Sequence, residues 1–152
     1  MTKAIYLDMD GTIADLYSVD IWLKKLRAED ATPYIQAKPL VKLSALARRL
    51  NTLQRKGYAI GIISWGSKHA TAEYDEAVAK AKNFWLNKHL PSVKFDEIHI
   101  VPYGTPKSTV AREKNGYLFD DEENNRKCWS AADSKNYAFS EKEIIKILQE
   151  II

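Results

Sequence analysis

The sequence is poor in the features that define several specialised protein classes. Its single cysteine, Cys128, excludes an intrachain disulfide and a zinc–thiolate cluster. No apolar window approaches the roughly 20 residues that a membrane-spanning helix needs. Six glycines and five prolines in 152 residues are too few for a collagen-like or low-complexity chain. What remains is the composition of an ordinary globular protein, of a length typical of one domain.

The charge balance does not single out a class of partner. Lys and Arg number 23 and Asp and Glu number 20, so the net charge is +3. This small excess neither demands nor excludes nucleic acid as a partner. Asp8 and Asp10 interrupt the first apolar run before a signal-like stretch can form. We therefore expect a cytoplasmic protein without a membrane partner, folded as one domain over residues 1–152.

Short apolar runs alternate with longer segments of helical periodicity. The runs have the length of strands buried on both faces, and their alternation with helices is typical of a parallel sheet covered on both sides. The sequence therefore predicts a three-layer, Rossmann-like α/β fold with a five-stranded parallel sheet. The predicted strands are 4–7, 58–63, 97–101, 116–119 and 137–139, and the predicted helices are 18–27, 39–56, 70–87 and two that begin near 105 and 140.

Local signals predict where three helices begin. Pro39 suits the first turn of a helix that ends before Gly57. Thr105 is expected to cap a helix whose first residue is Pro106. The stretch 140–143, Ser-Glu-Lys-Glu, has the spacing of a capping box, so we expect the last helix to start there.

Two carboxylates, Asp8 and Asp10, stand one residue apart where the first predicted strand gives way to a turn. Gly11 permits a sharp backbone path, and alternate residues of a strand point to the same side, so the carboxylates can converge. Crowded anions are unfavourable unless a cation lies between them or one is protonated. One acid can then act as a nucleophile while the other transfers a proton. The alternative interpretation is an ordinary polar turn.

Polar side chains also follow later predicted strands. Ser64 ends the second strand, and Asp120 and Asp121 follow the fourth, so we expect all three at the same edge of the sheet as Asp8. Lys107 stands at a helix start, where the helix dipole does not favour a cation. The alternatives are a turn-capping role for Ser64, a solvated lysine and a solvated acidic run.

In this order, the four elements resemble the motifs of the haloacid dehalogenase (HAD) superfamily of phosphohydrolases. The stretch 8–12, Asp-Met-Asp-Gly-Thr, is similar to the first motif, Ser64 to the second, Lys107 to the third and the pair 120–121 to the fourth. With the last strand and helix, the resemblance covers effectively the whole chain. It implies a HAD-like version of the predicted fold and a magnesium-dependent phosphomonoester hydrolase.

The resemblance also implies roles for the acidic residues. Asp8 is the implied catalytic nucleophile, which forms an aspartyl phosphate, and Asp10 is the implied acid and base. Mg²⁺ is the implied cofactor, held by Asp8, the backbone carbonyl of Asp10 and the pair Asp120 and Asp121. Asp121 is favoured as the direct ligand, which leaves Asp120 to orient Lys107 or a water. An aspartate at position 10 is typical of the phosphatase branch.

Further residues are implied to bind the substrate. Ser64 would donate a hydrogen bond to a phosphoryl oxygen, and the catalytic Lys107 would offset its charge. Gly11 and Thr12 are expected to take part in substrate binding by shaping the loop, whose backbone N–H groups face the phosphate. Trp65 is expected at the mouth of the site, where its ring either stacks on a nucleobase or packs against the core.

The segment 14–38 is too short for a large cap domain and is interpreted as a flap or mini-cap with one helix. A nearly capless site disfavours a phosphomutase, which must exclude water. An open site can accept a large substrate, or a partner subunit can close it. The preferred prediction is a phosphorylated small molecule such as a nucleotide, which would make the protein a nucleotidase-like hydrolase.

Two other functions remain open. Likeness to deoxyribonucleotidases and polynucleotide 3′-phosphatases raises the possibility of a nucleic-acid end-processing enzyme. That hypothesis predicts that basic residues flank the site, namely Lys24, Lys25, Arg27, Arg48, Arg49 and Arg112. The other alternative is a phosphatase-like protein that binds a phosphorylated ligand without turnover.

Overall fold

A computed structural model describes residues 3–152, and residues 1 and 2 of the predicted domain lie outside the described range. The chain alternates strands and helices through most of its length. The strands are β1 (Lys3–Leu7), β2 (Ala14–Asp15), β3 (Lys38–Pro39), β4 (Tyr58–Trp65), β5 (Glu97–Val101), β6 (Gly116–Phe119) and β7 (Tyr137–Phe139). The helices are α1 (Trp22–Arg27), α2 (Thr32–Gln36), α3 (Leu43–Arg55), α4 (Ala72–His89), α5 (Lys107–Val110), α6 (Glu123–Ala132) and α7 (Ile144–Ile151).

The central sheet has five parallel strands in the order β5-β4-β1-β6-β7, which confirms the predicted fold class. Since β1 lies in the middle, its carboxyl end is flanked by those of β4 and β6. The order changes direction around β1, and ligands of open α/β sheets bind at such a point. The topology therefore brings Asp8, Ser64 and Asp120 to one edge.

Alternate side chains of β1 enter two different layers of the core. Ile5 and Leu7 belong to the cluster covered by α3 and α7, whereas Ala4 and Tyr6 pack with Trp129 of α6. This alternation is the period-two pattern of a strand buried on both faces. The completely buried aliphatic residues that α3 and α7 contribute to this first layer are Leu46, Leu50, Leu53 and Leu148.

The segment 14–38 is bounded by a short antiparallel ladder, in which Ala14 pairs with Pro39 and Asp15 with Lys38. This pairing corrects the predicted helix 39–56, which begins at Leu43 because Pro39 lies in β3. The segment contains α1 and α2 instead of one helix. Its residues pack against α4 through a cluster of buried side chains, namely Leu16, Tyr34, Tyr74, Val78 and Ala81.

The helix predicted over 18–27 begins later, at Trp22. A single 3-10 turn covers Leu16–Ser18, and Ile21 has a left-handed backbone with φ of 47°. A residue in the left-handed region cannot continue a right-handed helix, so α1 begins only after Ile21. The helix predicted over 70–87 is α4, which begins after Thr71, whose hydroxyl accepts a hydrogen bond from the Tyr74 N–H.

Two of the predicted caps are wrong. Thr105 does not cap α5, because its hydroxyl donates to the Pro102 carbonyl at 2.6 Å and Pro106 occupies the capping position. The capping box at 140–143 does not form, because those residues after Ser140 adopt a 3-10 turn and the serine side chain makes no capping hydrogen bond. Among the described residues, no helix is both long and apolar enough to cross a membrane.

Candidate active site

The loop after β1 closes on its own backbone. Thr12 N–H donates to the Met9 carbonyl at 3.0 Å, and Gly11 N–H donates to the Ala14 carbonyl at 2.8 Å. The tight turn therefore uses both N–H groups internally, and binding of the substrate by Gly11 and Thr12 stays a prediction. Asp8 itself is fixed to the neighbouring strand, since its N–H donates to the Phe119 carbonyl at 2.9 Å.

Gly11 allows a carboxylate to approach the loop closely. Its φ is +79°, and a Cβ built there would lie 2.3 Å from Asp121 Oδ2. Thr12 connects the two acidic strand ends: its hydroxyl oxygen lies 2.9 Å from Asp8 Oδ2 and 3.2 Å from Asp121 Oδ1, and accepts from the Asp121 N–H at 3.1 Å. Gly11 and Thr12 thus shape the site around Asp8 and Asp121.

Lys107 joins the nucleophile candidate to the fourth motif. Its ammonium donates to Asp8 Oδ1 at 2.8 Å and to Asp120 Oδ2 at 2.7 Å, and all three side chains are buried. Burial lowers the pKa of Lys107, but the charges of Asp8 and Asp120 outweigh it and raise the pKa above its usual value. The two carboxylates therefore stabilise the charged form of Lys107 at the carboxyl end of β1.

The two adjacent aspartates have different surroundings. Asp120 is fully buried, and its oxygens accept from Lys107, from the Glu122 N–H at 2.9 Å and from Asn125 Nδ2 at 3.2 Å. Asp121 is partly exposed, and burial together with the charge of Asp8 raises its pKa to about 8. Asp120 is thus committed to protein donors, whereas Asp121 lies beside Asp8 and forms no ion pair with a described residue.

The donor set at this point suits a hard cation. Carboxylate oxygens of Asp8, Asp120 and Asp121 lie within 4.8 Å of one another. An all-oxygen set is the kind that Mg²⁺ prefers, and a divalent cation would relieve the crowding that raises the pKa of Asp121. The absence of a Cβ at Gly11 leaves room for the Asp121 carboxylate beside the loop. The residues present therefore fit a magnesium ion.

A second buried lysine, Lys82, connects Asp10 to the end of β4 through hydrogen bonds that were not predicted from the sequence. Its ammonium donates to Asp10 Oδ2 at 2.8 Å, to Ser64 Oγ at 2.7 Å and to the Trp65 carbonyl at 2.6 Å. Burial raises the pKa of the Asp10 carboxyl, and Lys82 opposes this shift. The available signal was the spacing Val78–Lys82–Leu86, which places a lysine within the apolar stripe of α4.

Ser64 and Trp65 differ in their access to solvent. Ser64 is completely buried beside Lys82 and does not line the cavity described below. Trp65 lines that cavity, and its Nε1 donates to the Thr105 carbonyl at 2.8 Å. Its ring packs on Tyr103 with centroids 4.9 Å apart and lies 5.6 Å from Lys107 Nζ. These contacts hold the indole in a defined orientation at the cavity wall.

A cavity of about 570 Å³ opens at the carboxyl edge of the sheet. The structure brings six predicted site residues to one place, because the cavity is lined by Asp8, Asp10, Trp65, Lys107, Asp120 and Asp121. Its aromatic wall comprises Tyr17, Trp22, Tyr34, Trp65, Tyr74 and Tyr103, and its basic residues beyond Lys107 are Arg27, Lys68 and His69.

The strand order of the central sheet, together with the positions of the acidic residues, identifies the type of fold. The parallel sheet in this order, with acidic residues after β1 and β6, is the HAD-like Rossmann fold that the motifs predicted. No protein-family model and no curated protein matches the sequence.

Solved structures of similar fold are D,D-heptose 1,7-bisphosphate phosphatases. The enzyme from Burkholderia thailandensis has a TM-score of 0.61 and 11% sequence identity, over 99% of this chain and 98% of that chain. The enzyme from B. bronchiseptica, solved with magnesium and phosphate, has a TM-score of 0.59 and 13% identity over the same shares. At these identities the likeness establishes the fold.

Proposed function

We propose that the chain is a magnesium-dependent phosphomonoester hydrolase, a single HAD-like domain in which residues 14–38 form a flap. The observation that carries the proposal is the convergence of Asp8, Asp10, Lys107 and Asp121 on one cavity at the end of the central strand. A phosphatase of the same fold was solved with magnesium and phosphate, which supports the same chemistry here.

In the first step, a carboxylate oxygen of Asp8 attacks phosphorus and forms an aspartyl phosphate, while the bond to the leaving oxygen breaks. Asp10 gives its proton to that oxygen, and its buried surroundings support the protonated form. Asp10 then takes a proton from water as the water attacks phosphorus, which releases phosphate and regenerates Asp8. Lys107 holds Asp8 in orientation throughout.

Magnesium, when bound, offsets negative charge on the transferring phosphoryl group. We assign it to Asp8, Asp121 and the backbone carbonyl of Asp10, with Asp120 holding Lys107. In this scheme Ser64 is fully buried, accepts a hydrogen bond from Lys82 and does not line the cavity.

The cavity wall favours a nucleotide or a similar small phosphate ester as the substrate. Aromatic side chains provide flat surfaces on which a base can stack, and Trp65 is oriented by its contacts with Thr105 and Tyr103. Arg27 and Lys68 add positive charge at the same cavity. A sugar phosphate is the competing substrate class, because the neighbouring structures are heptose bisphosphate phosphatases.

The structure gives less support to an enzyme for nucleic-acid ends. Of the six basic residues expected to flank the site, Arg27 lines the cavity, whereas Arg48 and Arg49 line a separate pocket with Gln149. A nucleic-acid backbone would need a continuous row of basic side chains beside the cavity, and Arg48 and Arg49 do not line that cavity.

The test is hydrolysis of p-nitrophenyl phosphate with magnesium and with EDTA. We expect magnesium-dependent turnover that Asp8→Asn abolishes and that Asp20→Asn, at an exposed residue outside the cavity, leaves unchanged. Turnover that survives Asp8→Asn or EDTA would contradict the proposal. Nucleoside monophosphates, sugar mono- and bisphosphates and 3′-phosphorylated oligonucleotides then rank the substrate classes. A folded protein that is stabilised by phosphate yet hydrolyses none of them is a binding protein.

A further inference from the structure

Lys82 is a buried cation that the proposed reaction does not use. Its side chain is 1% exposed, whereas that of Lys80, two residues earlier on α4, is 78% exposed. Lysine ordinarily keeps its ammonium group in water and is buried only when it is paired. The burial of Lys82 therefore has to be explained by the groups around its ammonium.

Each of the three ammonium protons of Lys82 has one hydrogen-bond acceptor. The three hydrogen bonds to Asp10, Ser64 and the Trp65 carbonyl use its three protons, and the Tyr34 ring centroid lies 5.0 Å from Nζ. Ser64 and Trp65 are the last residues of β4, which is paired on both sides, with β1 and with β5. Lys82 thus connects the fixed end of β4 to the side chain of Asp10 in the loop after β1.

We propose that Lys82 is a positioning residue, which holds the Asp10 carboxyl group where it can exchange a proton with the leaving oxygen. The inference rests on the proposed function. Asp10 belongs to a tight turn, and its side chain is 17% exposed at the cavity. Lys82 engages one carboxyl oxygen, Oδ2, and thereby sets the direction of the carboxyl group.

The same geometry gives Ser64 a different role from the one its motif implies. Ser64 is fully buried, and its hydroxyl oxygen accepts from Lys82. It therefore acts as an anchor for Lys82 instead of contacting the substrate. Removing the hydroxyl would loosen Lys82 and, through it, Asp10.

The experiment compares two substrates of nearly the same shape that differ in how much they need a proton. Nitrophenolate leaves readily without protonation. Phenol has a pKa near the ~10 of tyrosine, so the departure of phenolate depends on general acid catalysis. We expect Lys82→Met to lower kcat/KM for phenyl phosphate about 100-fold but that for p-nitrophenyl phosphate less than about fivefold. Lys80→Met, at the exposed neighbour, should change neither rate constant.

The ratio of the two rate constants is measured on one preparation, so the fraction of folded enzyme cancels. Lys82→Gln, whose amide retains two N–H donors, provides a second variant and should give a smaller change in the same ratio. Ser64→Ala should also lower the rate for phenyl phosphate more than that for p-nitrophenyl phosphate.

Equal losses on both substrates in the Lys82 variants would overturn the positioning role. Equal losses in Ser64→Ala alone would return Ser64 to direct contact with the phosphoryl group and remove its role as the anchor. A wild-type protein that hydrolyses neither substrate would overturn the proposed function, and this inference with it. An active wild type whose Lys82 variants keep the wild-type ratio overturns only the inference.

Discussion

The Lys107 ammonium lies 2.8 Å from Asp8 Oδ1, and each of the two side chains is 10% exposed or less. The lysine thus pairs with one oxygen of the proposed nucleophile, while the other oxygen, Oδ2, is contacted by Thr12. A buried pair of this kind holds the carboxylate in one orientation, which is what an attack on phosphorus requires.

Removing this ammonium should damage both activity and stability. Lys107→Met should lower kcat for p-nitrophenyl phosphate about 100- to 1,000-fold, because a charge aimed at the phosphoryl group and its nucleophile is lost. It should also lower the free energy of unfolding by about 3–5 kcal/mol, because Asp8 and Asp120 stay buried without their partner. Urea unfolding and steady-state kinetics measure the two effects. The control is Lys127→Met, at a lysine that is 72% exposed, and a near-wild-type kcat in Lys107→Met would contradict the assignment.

Gly11 and Gly104 offer a matched comparison for the magnesium site. Both have a positive φ, +79° and +89°, so an alanine at either costs about 1 kcal/mol of backbone strain. Only at Gly11 does the added Cβ meet other atoms, with Asp121 Oδ2 at 2.3 Å, whereas nothing lies within 4 Å at Gly104. We expect Gly11→Ala to weaken magnesium binding about 10- to 100-fold and Gly104→Ala to leave it unchanged. Calorimetric titration with magnesium measures the affinities, and equal values in the two variants would show that Asp121 is not a ligand.

Magnesium should stabilise the protein more at high pH than at low pH. Burial and the charge of Asp8 raise the pKa of Asp121 to about 8, above the 3.8 of an ordinary aspartate. The folded, metal-free protein therefore binds this proton more tightly than the unfolded chain, and its stability falls as pH rises from about 4 towards 8. Magnesium competes with the proton, so the rise in Tm that it causes should be larger at pH 8.5 than at pH 6. Asp121→Asn should remove the difference, and an equal rise at both values in the wild type would contradict the argument.

Strand ends were predictable from the sequence because an apolar run that stops at a polar residue marks them directly. Asp8 and Asp120 could be placed at one edge since parallel strands share the direction of their carboxyl ends. The helix starts at Pro39 and Thr105 were wrong because tertiary pairing and a local turn override propensity there. Lys82 was missed for a different reason: its partners come from β4 and from the loop after β1, and they converge only after folding.

Trp65 should determine preference for a base in the leaving group. Its indole lines the cavity and is held by Thr105 and Tyr103, so a stacked base would gain a preoriented surface. We expect Trp65→Leu to raise KM about tenfold for nucleoside monophosphates, since one aromatic stack contributes about 1–3 kcal/mol. The KM for glycerol 2-phosphate, which has no ring, should stay near its wild-type value. Trp65→Phe keeps a ring but lacks the N–H that donates to Thr105, so its KM for nucleoside monophosphates should lie between those of the wild type and of Trp65→Leu.

The control for this prediction separates stacking from an effect on Lys107. Because Lys107 Nζ lies 5.6 Å from the indole ring, a change in kcat that both substrates share reports on Lys107, and only the difference in KM reports on stacking. A KM that rises equally for both substrates would mean that the indole packs the cavity wall without contacting a base.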